Sequence, residues 1–381
     1  MTQGALPETV TTDPPAASAH ARAHRPAASA LSDSALAELL PDEPRYRREQ
    51  IRRGIYGGDA RGFDQITPLP RQLRERLDAT LAFSSVSPAR VRIAGDGTRA
   101  FLFRAADGTV FETVQLPSER GAATTVCVSS QAGCAMGCTF CATGTLGLTR
   151  NLSVAEIVDQ FLHVRRESLE SAAPDRVVFM GMGEPLANTA NVRDAVEALV
   201  DPGRGGLGAR HVTVSTVGLP AGIAELARWP WQIGLAISLH AASDDIRATL
   251  VPLAKHVDLA TLMASSIAYQ RETRRRVSYE YTMLRDVNDQ VAQARDLARL
   301  LDGQTCHVNL IPFNPFPGAA YEAPAAGTTR RFRDELRRRG VTATIRQTRG
   351  REIAGACGQL RADGAVWRRR SQSTAATGHA S

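Results

Sequence analysis

The chain has 381 residues, of which 43% are hydrophobic and 22% are charged. This length suits one large domain or two to three small ones, and six cysteines are too few for a disulfide-stapled scaffold. The 46 basic and 39 acidic residues give a net charge of +7, which allows an anionic partner without identifying one. No apolar run approaches the roughly 20 residues that span a bilayer, and the N-terminus lacks the apolar centre of a signal peptide. We therefore expect a soluble, cytoplasmic protein with no membrane partner.

The N-terminal part divides into a tail and a small helical domain. Residues 1–34 are rich in Ala, Pro, Ser and Thr and show no apolar periodicity, a composition typical of disordered segments. Over residues 35–85, apolar residues recur at helical spacing around Gly57-Gly58 and Pro68, with arginines between them. We predict a disordered tail over 1–34 and a helical, RNA-binding accessory domain over 35–85.

Three short segments that follow alternate apolar and polar residues. They cover 91–93, 99–104 and 110–115, and the pairs Asp96-Gly97 and Asp107-Gly108 separate them. Asp-Gly between such segments is a strong hairpin signal. The pattern predicts a short antiparallel sheet, a β-hairpin extension over 86–123.

From residue 124, short β-branched runs alternate with longer amphipathic segments, which is typical of parallel strands joined by crossover helices. The predicted strands are 125–129, 176–180, 211–215, 233–239, 277–283, 307–311 and 342–346, and the predicted helices are about 153–168, 190–200, 219–228, 258–272, 289–302 and 328–339. The fold class is therefore α/β, with a partial (β/α)6 barrel over 124–362 and a flexible tail over 363–381. Polar residues gather after several strands, where α/β folds bind ligands.

One loop after a predicted strand contains three of the six cysteines. Cys134, Cys138 and Cys141 have the spacing C-x3-C-x2-C in the glycine-containing segment GCAMGCTFC. Three thiolates on such a loop can hold an inorganic centre and leave one coordination position free, which suits an iron–sulfur cluster with an open iron. Zinc normally takes four protein ligands, or three and a water. A zinc site and three buried structural cysteines are the alternatives.

This spacing, with Phe140 before the last cysteine, resembles the signature of the radical S-adenosylmethionine (SAM) enzymes. Further segments resemble the RlmN/Cfr family of adenosine methyltransferases in order and spacing, over roughly residues 40–362. These segments are TVCVSSQAGCAMGCTFCATGTLGLTRNLSVAEIVDQ, VVFMGMGEPLAN, VTVSTVGLP, LAISLHA, YTMLRDVND, HVNLIPFNPFPG and TRGREIAGACGQL. The resemblance implies a radical-SAM barrel, a [4Fe-4S] cluster held by the three cysteines, and two SAM molecules per turnover.

The resemblance also distinguishes two branches. Pro185, the pair Pro312-Phe313 and the pair Arg349-Gly350 resemble the RlmN branch, which methylates carbon 2 of an adenine. The Cfr branch methylates carbon 8 and protects ribosomes against antibiotics, and it is the closest alternative. A non-enzymatic iron–sulfur RNA-binding regulator is an alternative of another class.

The resemblance implies roles for three residues outside the cluster loop. Cys357 would carry a methyl group taken from a first SAM, and a radical made from a second SAM would let that carbon add to the adenine. Cys127 would then attack the Cys357 sulfur, which releases the RNA and leaves a transient disulfide. Glu112 would accept the proton from carbon 2. Cys306 has no counterpart in the family, and we predict a buried packing residue.

The remaining implied contacts concern SAM and macromolecular partners. The SAM-binding residues implied by the resemblance are Gly183, Glu184, Ser215, Ser238, Leu239, His240 and Asn314. The implied substrate is adenosine 2503 of 23S rRNA, in the peptidyl-transferase centre, with tRNA adenosine 37 as a further candidate. An electron donor such as flavodoxin or ferredoxin and a monomeric state are also expected. Arginine runs at 274–276, 337–339 and 368–370 could contact phosphate, although such runs are often only solvated faces.

Overall fold

A computed structural model describes residues 25–118, 121–168 and 173–360, which contain twelve strands and ten helices. The strands are β1 (Val86–Ile93), β2 (Arg99–Ala105), β3 (Val110–Ser118), β4 (Gly121–Cys127), β5 (Gln131–Gly133), β6 (Leu148–Asn151), β7 (Pro174–Phe179), β8 (Val212–Thr216), β9 (Gly234–Ser238), β10 (Val277–Met283), β11 (Cys306–Pro312) and β12 (Ala343–Ile345). The helices are α1 (Asp33–Leu39), α2 (Arg45–Tyr56), α3 (Arg71–Thr80), α4 (Val154–Arg166), α5 (Thr189–Val200), α6 (Pro220–Ala227), α7 (Asp244–Leu250), α8 (Leu259–Thr273), α9 (Val291–Leu300) and α10 (Ala326–Arg338).

The N-terminal helical domain begins earlier than the composition indicates. The prediction of a tail up to residue 34 is wrong for residues 25–34, because this segment packs against the helical domain. The backbone N–H of Ala28 donates to the carbonyl of Ala82 at 2.9 Å, and Tyr56 Oη donates to the carbonyl of buried Ser29 at 2.5 Å. Ser32 caps α1 by accepting from the N–H of Ala35. The rest of the predicted N-terminal tail and the predicted tail over 363–381 lie outside the described residues.

Ten of the strands form one sheet, in the order β1-β2-β3-β4-β7-β8-β9-β10-β11-β12. Pairing is antiparallel from β1 to β4 and parallel from β4 to β12. The predicted antiparallel extension is therefore continuous with the parallel strands through β4. All seven predicted parallel strands and all six predicted crossover helices overlap observed elements, and the α/β fold class is confirmed.

The two ends of the sheet approach each other through the segment after β12. Arg346 Nη1 lies 3.7 Å from the Sδ of Met180, which follows β7. The N–H of Gly350 donates to Asp96 Oδ2, in the turn between β1 and β2, at 3.1 Å. The C-terminal segment therefore crosses the open side of the sheet, as expected for a partial barrel.

Two clusters of buried side chains stabilise this arrangement. The larger one runs from the N-terminal helices through both faces of the sheet. The smaller one includes Phe140, Leu250, Phe313 and Phe316 and packs against the partly buried Cys138 and Cys141, together with neighbouring apolar residues. Within the described residues, no helix has both the length and the apolar character needed to cross a membrane.

Candidate active site

The cysteine loop is fixed by backbone hydrogen bonds at both ends. It begins after β5, which pairs with β6, and the N–H of Cys134 donates to the carbonyl of Gly147 at 2.8 Å. Gly133 has φ +80°, and a Cβ there would lie 2.0 Å from the Gly147 carbonyl oxygen, so only glycine fits. The N–H of Thr139 donates to the carbonyl of Leu250 at 3.0 Å, which ties the middle of the loop to α7.

The three thiols of this loop lie close enough to influence one another. The pKa of Cys134 is raised to about 12, mainly by burial and in smaller part by Cys141. The pKa values of Cys138 and Cys141 are raised mainly by burial, and for Cys138 also by the other two thiols. In the described part of the chain, no three His, Cys, Asp or Glu side chains converge on a position suited to a single metal ion. A donor set of three thiols fits an iron–sulfur cluster, because binding to iron stabilises the thiolate that burial disfavours.

Glu184 lies beside this loop at the carboxyl end of β7. Its Oε1 accepts from the N–H of Leu186 at 3.0 Å, and its Oε2 accepts from the N–H of Val217 at 2.7 Å. Burial raises the pKa of the carboxyl to about 7, and Glu184 in turn raises the pKa of Cys134. The preceding Gly183 has φ +100°. The structure thus places a buried carboxylate next to the cluster loop.

His240 is held as a neutral imidazole against the cluster loop. Its Nδ1 accepts from the N–H of Thr282 at 3.0 Å, so the ring proton is on Nε2. Burial, and then the charge of Arg247, lowers its pKa to about 3. The ring packs edge-on against Phe140, with centroids 4.5 Å apart. His240 also has φ +61°, which is uncommon for a residue with a side chain.

The other implied SAM contacts differ in whether their polar groups already form hydrogen bonds within the chain. Ser215 Oγ, in β8, donates to the carbonyl of Phe179 at 2.6 Å, and Ser238 is the half-buried last residue of β9. Leu239 is fully buried, and its N–H and carbonyl both take part in hydrogen bonds within the chain. Asn314 is buried and has its amide group directed to the segment that contains Cys357. These residues lie at the carboxyl ends of β8, β9 and β11.

A cavity of about 430 Å³ brings Cys127 and Cys357 together with Cys141 of the cluster loop. Its walls include Cys127, Cys141, Asn314, Arg346 and Cys357. Asn314 Nδ2 donates to the carbonyl of Cys357 at 3.2 Å. The backbone N–H of Ala142, next to Cys141, donates to the carbonyl of Gly358, next to Cys357, at 2.8 Å. Cys127 and Cys357 are both free thiols, and they face the same space as one cysteine of the cluster loop.

The thiols of this cavity differ in their surroundings. Cys127 is the last residue of β4 and is buried. Its pKa is raised to about 12, mainly by burial and in smaller part by Cys357, while Arg346 acts in the opposite direction. Cys357 is only partly buried.

Cys306 lies outside this cavity. It begins β11 and packs against the large core while remaining partly exposed, so the prediction of a buried packing residue is correct for its packing and wrong for its burial.

Glu112 lies on β3 outside the walls of the cavity. Its side chain is buried, and its Oε1 accepts from Arg92 Nη2 at 2.8 Å. It shares a face of β3 with Val114 and Leu116, which do line the cavity. The sequence indicates an apolar environment for this carboxylate, whereas the structure gives it a cationic partner that favours the ionised form.

Sequence reasoning missed two arginines of the site. Arg247, on α7, is fully buried and donates to the carbonyls of Val217, Leu239 and Val257 at 2.7, 3.3 and 3.2 Å. Its charge also lowers the pKa of Cys138. Arg346 lines the cavity that contains Cys127 and Cys357. Neither residue has a distinguishing signal in a chain in which 45 of the 46 basic residues are arginine.

Of the three arginine runs, the run 337–339 has contacts within the chain. In the run 337–339, Arg338 and Arg339 both pair with Glu335, and Arg337 donates to the carbonyl of Ala343. In the run 274–276, Arg274 ends α8 with a left-handed backbone. The run 368–370 lies outside the described residues.

Comparison with known proteins agrees with this geometry. The profile described as the Radical SAM superfamily matches residues 128–298. A probable dual-specificity RNA methyltransferase RlmN of Thermus thermophilus is 45% identical over 331 residues, which cover 85% of this chain and 92% of that protein. The dual-specificity RNA methyltransferase RlmN of Campylobacter fetus is 41% identical over 343 residues, which cover 87% of this chain and 96% of that protein.

A solved structure gives the same result. The crystal structure of a radical SAM methyltransferase from Sphaerobacter thermophilus has a TM-score of 0.86 and 44% identity, and the match covers 89% of this chain and 100% of that one. The predicted family, enzyme class and cofactors, a [4Fe-4S] cluster and SAM, are confirmed. The chain belongs to the RlmN family of radical SAM RNA methyltransferases.

Proposed function

We propose that this enzyme methylates carbon 2 of adenosine 2503 in 23S rRNA and of adenosine 37 in tRNA, with Cys357 as the methyl carrier. The observation that carries the proposal is the shared cavity of Cys127, Cys141 and Cys357. A methyl carrier must face the cluster loop, where SAM binds, and also the thiol that later displaces it. The name of the Campylobacter fetus relative, a dual-specificity RNA methyltransferase, supports two RNA substrates.

The residues around the cysteine loop suit the binding of SAM. Cys134, Cys138 and Cys141 would hold the [4Fe-4S] cluster, which would supply one-electron reduction for SAM when bound, and a flavodoxin or ferredoxin suits the role of donor. The Glu184 carboxylate, held by two backbone N–H groups, can accept hydrogen bonds from the SAM ammonium group. Gly183, Ser215, Ser238, Leu239, His240 and Asn314 complete the proposed SAM site.

Three residues act on the RNA side of the reaction. Cys357 accepts a methyl group by displacement at SAM, and its position in a glycine-flanked segment leaves its sulfur accessible. Glu112, which is paired with Arg92, accepts the proton from carbon 2. Cys127 attacks the Cys357 sulfur, which frees the methylated RNA and leaves a disulfide between the two. The buried adenine must leave its stack to reach these groups.

Nucleoside analysis tests the enzyme class and the carbon position together. Reconstituted enzyme would be incubated anaerobically with 23S rRNA or tRNA, SAM and a reductant, and the digested RNA would be analysed by mass spectrometry against both standards. We expect 2-methyladenosine together with 5′-deoxyadenosine and S-adenosylhomocysteine. Formation of 8-methyladenosine would instead identify the Cfr reaction, and absence of all three products would contradict an enzymatic role.

A further inference from the structure

Arg346 shares the cavity of the two reactive sulfurs. It follows β12, and it lines the cavity with Cys127 and Cys357. Its Nη1 lies 3.7 Å from Met180 Sδ and 4.0 Å from Glu280 Oε2. The side chain is 29% exposed, so the cation lies between the barrel interior and the open cavity.

The nearest carboxylate to Arg346, that of Glu280, makes only a long ion pair with it. Glu280 is buried on β10, and its Oε1 accepts from Asn309 Nδ2 at 2.8 Å. Its Oε2 has no hydrogen-bond partner among the described residues, and 4.0 Å is long for a charge-assisted contact, which usually spans about 2.7–2.9 Å. The charge of Arg346 therefore remains available to the sulfurs.

Cys127 and Arg346 influence each other electrostatically. The pKa of Cys127 is raised to about 12, mainly by burial and in smaller part by Cys357, and Arg346 is the cation that lowers it. Conversely, Cys357, Glu280 and Cys127 raise the pKa of Arg346, whereas burial lowers it. The walls of the shared cavity also include Arg349 and Cys141. Of the two arginines there, Arg346 is the one whose charge lowers the pKa of the buried Cys127 thiol.

We propose that Arg346 is a positioning residue for the sulfur exchange: its cation stabilises the Cys127 thiolate when that thiolate attacks the Cys357 sulfur. This inference rests on the proposed function, because it requires the covalent RNA adduct on Cys357.

The exchange balances without a further oxidant. Cys127 gives its proton to solvent, and its thiolate forms an S–S bond with Cys357. The bond between the Cys357 sulfur and the methylene carbon breaks, and its electron pair goes to the carbon, which takes up a proton and becomes the methyl group of the RNA. Two sulfurs are oxidised to a disulfide while the carbon is reduced by the same two electrons. Arg346 acts at the start of this step, when the negative charge is on Cys127.

The test uses holoenzyme variants with matched cluster content. Arg346→Gln removes the cation, Arg346→Lys keeps it, and Glu280→Gln removes the opposing carboxylate while it keeps an acceptor for Asn309. Cys127→Ala provides the reference for a trapped adduct. Each variant reacts anaerobically with SAM, reductant and 23S rRNA over a series of pH values, and denaturing gels follow the release of protein-bound RNA with time.

We expect the two halves of the ion pair to have opposite effects. Arg346→Gln accumulates the adduct and releases RNA about ten-fold more slowly at neutral pH, the effect of a one-unit rise in thiol pKa, so it needs a pH about one unit higher to reach the wild-type rate. Arg346→Lys restores the rate, and Glu280→Gln reaches it at a lower pH. A purely structural pair would shift both variants in the same direction, and that result, or a wild-type pH profile in Arg346→Gln, overturns the inference. If even Cys127→Ala accumulates no adduct, the proposed function itself fails.

Discussion

At the scale of single residues, the cysteines show which information the sequence contains. The C-x3-C-x2-C spacing predicts the cluster loop, because all three thiols belong to one short segment. The pairing of Cys127 with Cys357 came only from the family resemblance, since 230 positions separate them. Arg346 could not be predicted at all, because its importance depends on which strands lie opposite each other, and this is a tertiary property.

Substitution of the two cavity cysteines should stop the reaction at different stages. Cys357→Ala removes the methyl carrier, so neither methylated RNA nor a protein–RNA adduct should form. Cys127→Ala leaves the carrier but removes the thiol that displaces it, so a covalent adduct should accumulate. Denaturing gels and nucleoside mass spectrometry distinguish the two states.

Cys306→Ala is the matched control for both substitutions. Cys306 lies at the start of β11 and packs against the core, so this variant should form product without trapping RNA. Methylated product from Cys357→Ala would mean that another group carries the methyl.

At the scale of elements, periodicity located the strands and crossover helices of the barrel, while tertiary contacts set several boundaries. β4 begins at Gly121, four residues before the predicted strand, because pairing with β3 and β7 extends it despite the low strand propensity of Gly and Ala. Helix α7 was missed, since its seven residues are too few to show a helical period. The segment 25–34 was missed because small side chains can be buried without an apolar pattern.

Gly183 offers a test of the turn that presents Glu184. A Cβ at Gly183 would lie 2.5 Å from the Cβ of Gln131, and φ is +100°. Gly183→Ala should therefore destabilise the fold by roughly 1–3 kcal/mol through overpacking, in addition to backbone strain of about 1 kcal/mol, and should weaken SAM binding. Urea unfolding and SAM titration measure the two effects.

Gly206→Ala isolates the contribution of the backbone. Gly206 has φ +67°, but no atom lies within 4 Å of the position of its Cβ. The Gly206→Ala variant should lose only about 1 kcal/mol of unfolding free energy, from backbone strain, and should bind SAM with normal affinity. Equal losses in the two variants would contradict the importance of the contact with Gln131.

At the scale of the whole molecule, one sheet connects the N-terminal hairpins to the barrel. The sequence predicts both parts, but it shows no sign that β3 and β4 pair and make them continuous. His163 of α4 packs over this continuous region, with its ring edge-on to Phe101 and Phe103 at centroid distances of 5.7 and 5.0 Å. Global stability should therefore respond to the charge on this ring.

Stability should fall on acidification in a window set by His163. Burial lowers its pKa from 6.5 to about 4, so between these values the unfolded chain binds a proton that the folded chain does not. His163 therefore makes the free energy of unfolding rise with pH through this window, and its contribution of up to about 3 kcal/mol is lost on acidification across it. Because Glu184 and His240 titrate in both proteins, urea midpoints should rise more steeply with pH in wild type than in His163→Gln. The exposed His256 provides the control, and an unchanged slope in His163→Gln would refute the assignment.

The segment that carries Cys357 joins the two edges of the sheet without being a strand. β1 and β12 form those edges, and the segment between Arg349 and Cys357 reaches the first hairpin through Gly350 with Asp96 and through Glu352 with the N–H of Gly95. A ladder of paired strands opens only when the sheet unfolds, whereas a few side-chain contacts can break on their own. The Cys357 segment is therefore held by individual contacts, including those from Asn314 and Ala142, so its position and the stability of the barrel depend on different interactions.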